Sequence, residues 1–166
     1  MGTNIKEVFS MGRVGLVRTL KGVIIFMALI VTYCYCIVFP ENIRFIGWSN
    51  DMYWLAEPFV WAVTISVIPI AVALVLFWMI CTEVGRDNSF CHKNARLLCG
   101  IGVCALIDTG YCAVGTVTLE LLSGSPIFLA GLGMCVLGLA IALAAFLLSH
   151  LVLKAADLKS ENDLTI

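Results

Sequence analysis

The sequence predicts an all-α, polytopic membrane protein. Four transmembrane helices form one bundle, with both termini cytoplasmic. Three observations carry this reading. First, four apolar runs, at about 22–39, 58–81, 97–119 and 127–153, are separated by short polar breaks and fill most of the 166 residues. Each is near or above the roughly 18–20 residues that cross a hydrocarbon core of about 30 Å at about 1.5 Å per residue. Second, 61% of the residues are hydrophobic, 13% are charged and the mean hydropathy is +1.04. Soluble globular and disordered chains do not have this composition. Third, the basic residues are segregated. Lys6, Arg13, Arg18 and Lys21 precede the first run, Arg86, Lys93 and Arg96 lie between the second and third, and Lys154 and Lys159 follow the fourth. The two remaining connections hold only Arg44. The positive-inside rule then places both ends and the middle connection in the cytoplasm.

A helix in water needs a polar face, and these runs lack one. In lipid each run must satisfy its own backbone, which makes it a helix. Little length remains for a soluble domain, so residues 1–166 form a single transmembrane domain with a cytoplasmic tail at 154–166. No run of basic residues is dense enough for direct nucleic-acid binding. The first run is long for a secretory signal, and its end, Ile37-Val38-Phe39-Pro40, lacks the small-x-small cleavage pattern. It is expected to stay in the protein as an anchor.

Along the chain, residues 1–20 mix Ile5, Val8, Phe9 and Leu16 with Lys6, Arg13 and Arg18. They suit either a short amphipathic helix on the anionic inner leaflet or a loose basic tail. Span 1 carries Tyr33 and Tyr35 near its outer end and is expected to stop at Pro40. The outer connection, 41–57, places Phe45, Trp48, Tyr53 and Trp54 at the headgroup layer. Span 2 opens with Pro58, which a first helical turn tolerates. Trp61 and Trp78 mark its two ends. Pro69 should kink it, with Thr64 and Ser66 offsetting part of the lost backbone bonding. In the connection 82–96, Asp87, Asn88 or Ser89 offers a cap to the third helix. Span 4 bears a ladder of small residues, Gly131, Cys135, Gly138, Ala142, Ala145 and Ser149, spaced alternately by four and three. Such a stripe lets helix backbones approach closely, within the bundle or across a homo-oligomer face.

Eight cysteines invite a disulfide or metal reading, and their positions oppose it. Cys34, Cys36, Cys104, Cys112 and Cys135 lie in spans, while Cys81, Cys91 and Cys99 lie at or near the reducing cytoplasmic side. Cys91 and His92 are adjacent, but two ligands do not make a zinc site. The chain has no nucleophile-base-orienter set, no phosphate-binding glycine loop and no metalloprotease motif. The expectation is a non-enzymatic protein without cofactor or metal. His150, near the inner end of span 4, is shallower than Asp108 and is expected to make a polar contact at the membrane edge.

Asp108 is the one acidic residue deep in a span. A charged aspartate there costs several kcal/mol, so it must face the bundle interior, find donors or hold its proton. One reading is a proton or cation site in a small homodimeric transporter or channel, or a polar hinge that with the kinked span 2 gives the bundle two arrangements. Another is a structural carboxyl bonded to Thr64, Ser66, Thr109 or a tyrosine. A third possibility for the chain as a whole, suggested by the small-residue ladder, is a structural subunit of a larger membrane complex.

Two cytoplasmic stretches carry a resemblance. One is Gly85-Arg86-Asp87-Asn88-Ser89-Phe90-Cys91-His92-Lys93-Asn94-Ala95-Arg96-Leu97-Leu98. The other is the tail that ends Glu161-Asn162-Asp163-Leu164-Thr165-Ile166. Both resemble a family of small bacterial four-helix membrane proteins catalogued as a domain of unknown function. Cys91 departs from it, standing where the family usually has a capping serine. The resemblance implies the bacterial cytoplasmic (inner) membrane and a partner, a small helix-turn-helix regulator often encoded beside the family's members. Arg86, Asp87, Asn88, Lys93, Asn94 and Arg96 share the predicted cytoplasmic face with Asp157, Lys159, Glu161, Asn162 and Asp163. Together they are the candidate docking surface of a membrane regulator or sensor.

Overall fold

The computed structural model describes residues 3–49, 53–86, 91–123 and 128–164, and nearly all of them are helical, with no strand among them. Helix α1 is Thr3–Tyr33, followed by one π-helical turn at Cys34–Val38 and by α2, Phe39–Ser49. Then come α3, Tyr53–Ile65, and α4, Val67–Gly85. The chain continues with α5, His92–Ser123, and ends in α6, Phe128–Leu164. Four stretches are long and apolar enough to cross a membrane: Gly15–Phe45, Ala56–Gly85, His92–Thr118 and Leu129–Glu161.

The helices outrun the apolar runs that predict them. Residues 3–20 are neither a helix separate from span 1 nor a loose tail, because α1 starts at Thr3 and runs into the span without a break. Pro40 does not stop span 1. Proline has no N–H for the carbonyl four residues back, Cys36, and its ring crowds that carbonyl. The π turn just before it absorbs the misfit by widening the coil. There the Phe39 N–H donates to the Cys34 carbonyl, five residues back. The outer connection is therefore largely helical. Helices α2 and α3 pack side by side, and Arg44 Nε donates to Glu57 Oε1 at 2.9 Å across them. Pro58 lies inside α3, past its first turn, because that helix starts at Tyr53.

Span 2 breaks where Pro69 predicts. Proline 69 cannot donate to the Ile65 carbonyl, and α3 ends at that residue. The Ser66 N–H turns back to the Val63 carbonyl at 3.1 Å, and α4 resumes at Val67. Thr64 Oγ1 donates to the Val60 carbonyl at 2.8 Å.

The spans pack in chain order. Helix α1 lies against α4, α4 against α5, and α5 most extensively against α6. Among the described residues no comparable contact joins α1 to α6, so that side of the bundle is open. The interior is built of small side chains, including Cys81, Ala95, Ala142, Ala145 and Ala156, while Phe26, Leu29, Leu137, Leu143 and Leu147 point outward. Water would penalise that exposed apolar surface, and lipid does not. Small residues inside and large ones outside are what close helix packing in a bilayer requires.

The α6 ladder meets α5. Gly131 lies under Thr116 and Gly138 under Thr109, so closely that a Cβ at either glycine would strike the threonine side chain. Ala142 is fully buried, and Ala145 nearly so. Ser149 Oγ donates to the Ala95 carbonyl at 2.7 Å, and Cys135 Sγ lies 4.0 Å from the Thr109 carbonyl. The stripe is thus occupied within the chain.

Candidate functional site

Polar groups converge at two places. The first is inside the membrane, where spans 1 and 2 both lose regular helical bonding. Tyr35, in the π turn, and Ser66, at the break in span 2, are joined by a 3.2 Å hydrogen bond between their hydroxyls. Ser66 Oγ also donates to the Val63 carbonyl at 2.8 Å. A serine has one hydroxyl proton. With that proton on the carbonyl, Tyr35 donates to Ser66.

Asp108 lies on α5, half-buried, within electrostatic range of Tyr35 and of Cys112. Among the described residues no hydrogen bond reaches its carboxyl. The threonines that offered themselves as donors are committed elsewhere. Thr64 donates to Val60, and Thr109 Oγ1 donates to the Ala105 carbonyl at 2.7 Å. Of the partners that one reading offered Asp108, Thr64, Thr109 and Ser66 donate to backbone carbonyls. Cys112 and Cys135 face each other across α5 and α6, and Cys34 lies within electrostatic range of Tyr35.

The second place is the end of the bundle where α1, α4, α5 and α6 meet. Val17 packs over Gly85, and Lys21 Nζ stands 5.0 Å over the Trp78 ring. Lys93 Nζ donates to Glu83 Oε1 at 2.6 Å, which ties the start of α5 to the end of α4. His92 Nε2 lies 3.5 Å from Asp157 Oδ1, which brings the α6 tail alongside α5. The His92–Asp157 pair faces solvent on both sides, and such pairs hold geometry more than they stabilise. In the other pair Lys93 is exposed while the Glu83 side chain is largely covered.

Of the docking candidates, Arg86, Arg96, Lys159 and Glu161 are exposed, and Lys93 and Asp157 are exposed but engaged in the pairs just described. Asn94 is only 2% exposed, packed where α5 begins, so its side chain is an internal contact and not part of a surface. Asp87 and Asn88 lie outside the described residues, as do the side chains of Asn162 and Asp163. Glu83 and His92 are partners that the sequence reading did not single out. Glu83 stands at the end of span 2, ten positions before Lys93, and a short connection brings the two helix ends together. Leu158, 63% exposed in the middle of the charged tail, was also passed over.

The eight cysteines are free thiols. Among the described residues no three His, Cys, Asp or Glu side chains gather as a metal-binding group.

Four membrane-crossing helices, a helical charged tail and a polar cluster within the spans define a polytopic integral membrane protein. The family model described as "Protein of unknown function (DUF2975)" matches residues 47–166, and the chain belongs to that family. The matched part takes in spans 2, 3 and 4 and the tail. No curated protein and no solved structure matches the chain.

Proposed function

We propose that the chain is a non-enzymatic regulator or sensor of the bacterial inner membrane, docking a cytoplasmic partner through the segments 88–96 and 154–166. The partner is the helix-turn-helix regulator that the family resemblance implies. One observation carries the reading: α6 runs unbroken from Phe128 to Leu164. At about 1.5 Å per residue it is roughly 55 Å long, against a hydrocarbon core of about 30 Å. Its charged end therefore stands clear of the lipid as a rigid extension. Lys154, Lys159 and Glu161 surround Leu158 on it, and Arg86 and Arg96 lie on the same end of the bundle. An apolar anchor ringed by mixed charge suits a specific, transient protein contact. The basic residues gathered at this end are the reason for assigning it to the cytoplasm. The test is co-purification of the regulator with the full chain and with a chain ending at residue 156. Loss of recovery on truncation supports the reading, and equal recovery removes the tail from it.

A second reading is favoured by the Tyr35–Ser66–Asp108 cluster. In it the chain is a small transporter, working as a homodimer, with Asp108 as its coupling group. An intramembrane acid without bonded donors is expensive to keep unless it is used. Proteoliposome flux that depends on pH in the wild type and vanishes in Asp108→Asn is its signature. Absence of pH-dependent flux in both eliminates it.

A further inference from the structure

The packing of α5 on α6 brings two thiols together within the spans. Gly131 lies under Thr116, and Gly138 lies under Thr109. Four positions along α6 from Gly131 stands Cys135, and four positions back along α5 from Thr116 stands Cys112. Three positions further in each direction come Gly138 and Thr109. The antiparallel register therefore sets Cys112 opposite Cys135, between two places where the backbones approach closely. The contacts agree with it. Cys135 Sγ lies 4.0 Å from the Thr109 carbonyl, and the Cys112 and Cys135 thiols are hydrogen-bonded to each other. A disulfide needs its two Cα atoms within about 7 Å, and close backbone approach on both sides of the pair is the arrangement that allows it.

We infer that Cys112 and Cys135 are a redox-active dithiol, closed to an interhelical disulfide by a quinone dissolved in the membrane.

Position selects the oxidant. Each cysteine stands six residues inside its span, counted from the ends at Thr118 and Leu129. That is about 9 Å of helix at about 1.5 Å per residue. Water-soluble thiol buffers such as glutathione do not dissolve at that depth. Solutes of the lipid do reach it: both thiols are only half-buried, and Tyr111, Met134 and Val136 beside them face outward. Charge favours a disulfide over a bound metal ion. Metal binding requires thiolates, and charge within the hydrocarbon is costly. Dithiol and disulfide are both neutral. A quinone balances the reaction as a two-electron acceptor. Both S–H bonds break and one S–S bond forms. Two electrons and two protons pass to the quinone, which leaves as the hydroquinone. Neither 41–57 nor 120–126 holds a cysteine, which excludes a disulfide in those connections but not one between spans. A covalent joint between α5 and α6 that follows the state of the quinone pool suits a sensor. The chemistry rests on the two thiols alone and is independent of any docked partner.

The experiment uses the reduced full chain in nanodiscs that contain ubiquinone, whose fully substituted ring does not arylate thiols. Peptide mapping after alkylation locates the disulfide, and absorbance follows the quinone. One Cys112–Cys135 disulfide and one hydroquinone per chain are expected. Oxidised glutathione, added in water without quinone, should leave both thiols reduced. Cys112→Ser and Cys135→Ser should each abolish quinone consumption, and Cys104→Ser, on the same helix as Cys112, should leave it unchanged. Thermal unfolding checks the fold of each variant, and the alanine variant replaces a serine variant that does not fold. Absence of a disulfide with ubiquinone overturns the inference, as does a disulfide between other cysteines in its place or undiminished quinone consumption by a folded Cys112→Ser. Oxidation by glutathione as fast as by ubiquinone overturns the assignment of the oxidant to the lipid.

Discussion

Tyr35 Oη and Ser66 Oγ lie 3.2 Å apart, and each belongs to a place where its own helix departs from α-helical bonding. Proline is the cause on both sides. Pro40 imposes the π turn that holds Tyr35, and Pro69 imposes the break at Ser66. The two irregularities meet and form a polar contact between spans 1 and 2, within electrostatic range of Asp108.

That bond should be measurable as a coupling. Tyr35→Phe and Ser66→Ala, alone and combined, define a double-mutant cycle. Chemical unfolding in detergent is expected to give a coupling of about 0.5–1.5 kcal/mol. Purely additive losses would show that the two hydroxyls do not act together.

The glycines of α6 differ sharply in their surroundings. A Cβ at Gly131 or Gly138 would strike Thr116 or Thr109, while Gly133 has nothing within 4 Å. Both threonines are held by bonds to the carbonyls of Cys112 and Ala105, and a β-branched side chain in a helix has little rotamer freedom with which to yield. Gly131→Ala and Gly138→Ala should each destabilise the protein by about 1–3 kcal/mol, as overpacking does. Gly133→Ala should be neutral or slightly stabilising, by up to about 1 kcal/mol. Unfolding midpoints of the three variants check the ordering.

The inner half of the α5–α6 contact rests on a polar bond. Ser149→Ala removes the donor to the Ala95 carbonyl and should cost about 0.5–1.5 kcal/mol. Hydrogen exchange at the start of α5 should speed up in the same variant. Unchanged stability and exchange would mean that the bond carries no net energy.

The four spans were legible because lipid leaves a mark on composition: long runs without charge have no other stable use. Helix ends were less legible. A helix that leaves the membrane keeps its own backbone bonds, so α1 continues down through residues 3–20 and α6 out to Leu164 with no apolar signal to reveal it. Pro40 and Pro58 read as a stop and a start because proline lacks an N–H. The structure instead accommodates each inside a helix. Asp108 stood out by its charge alone. Its relation to Tyr35 did not, because the two are 73 positions apart in the chain and meet only once spans 1, 2 and 3 are packed. Asn94 looked like a surface residue in a polar connection, and the folded bundle buries it.

Sidedness is the most direct test of the account. In a variant without native cysteines, single cysteines are placed at Trp48, on α2, and at Ser160, on the α6 tail, both exposed positions. They are then labelled with a membrane-impermeant maleimide from each side of sealed vesicles. The account predicts that Trp48→Cys reacts only from the outside and Ser160→Cys only from the cytoplasmic side. Labelling of both from one side, or the reverse assignment, would contradict it.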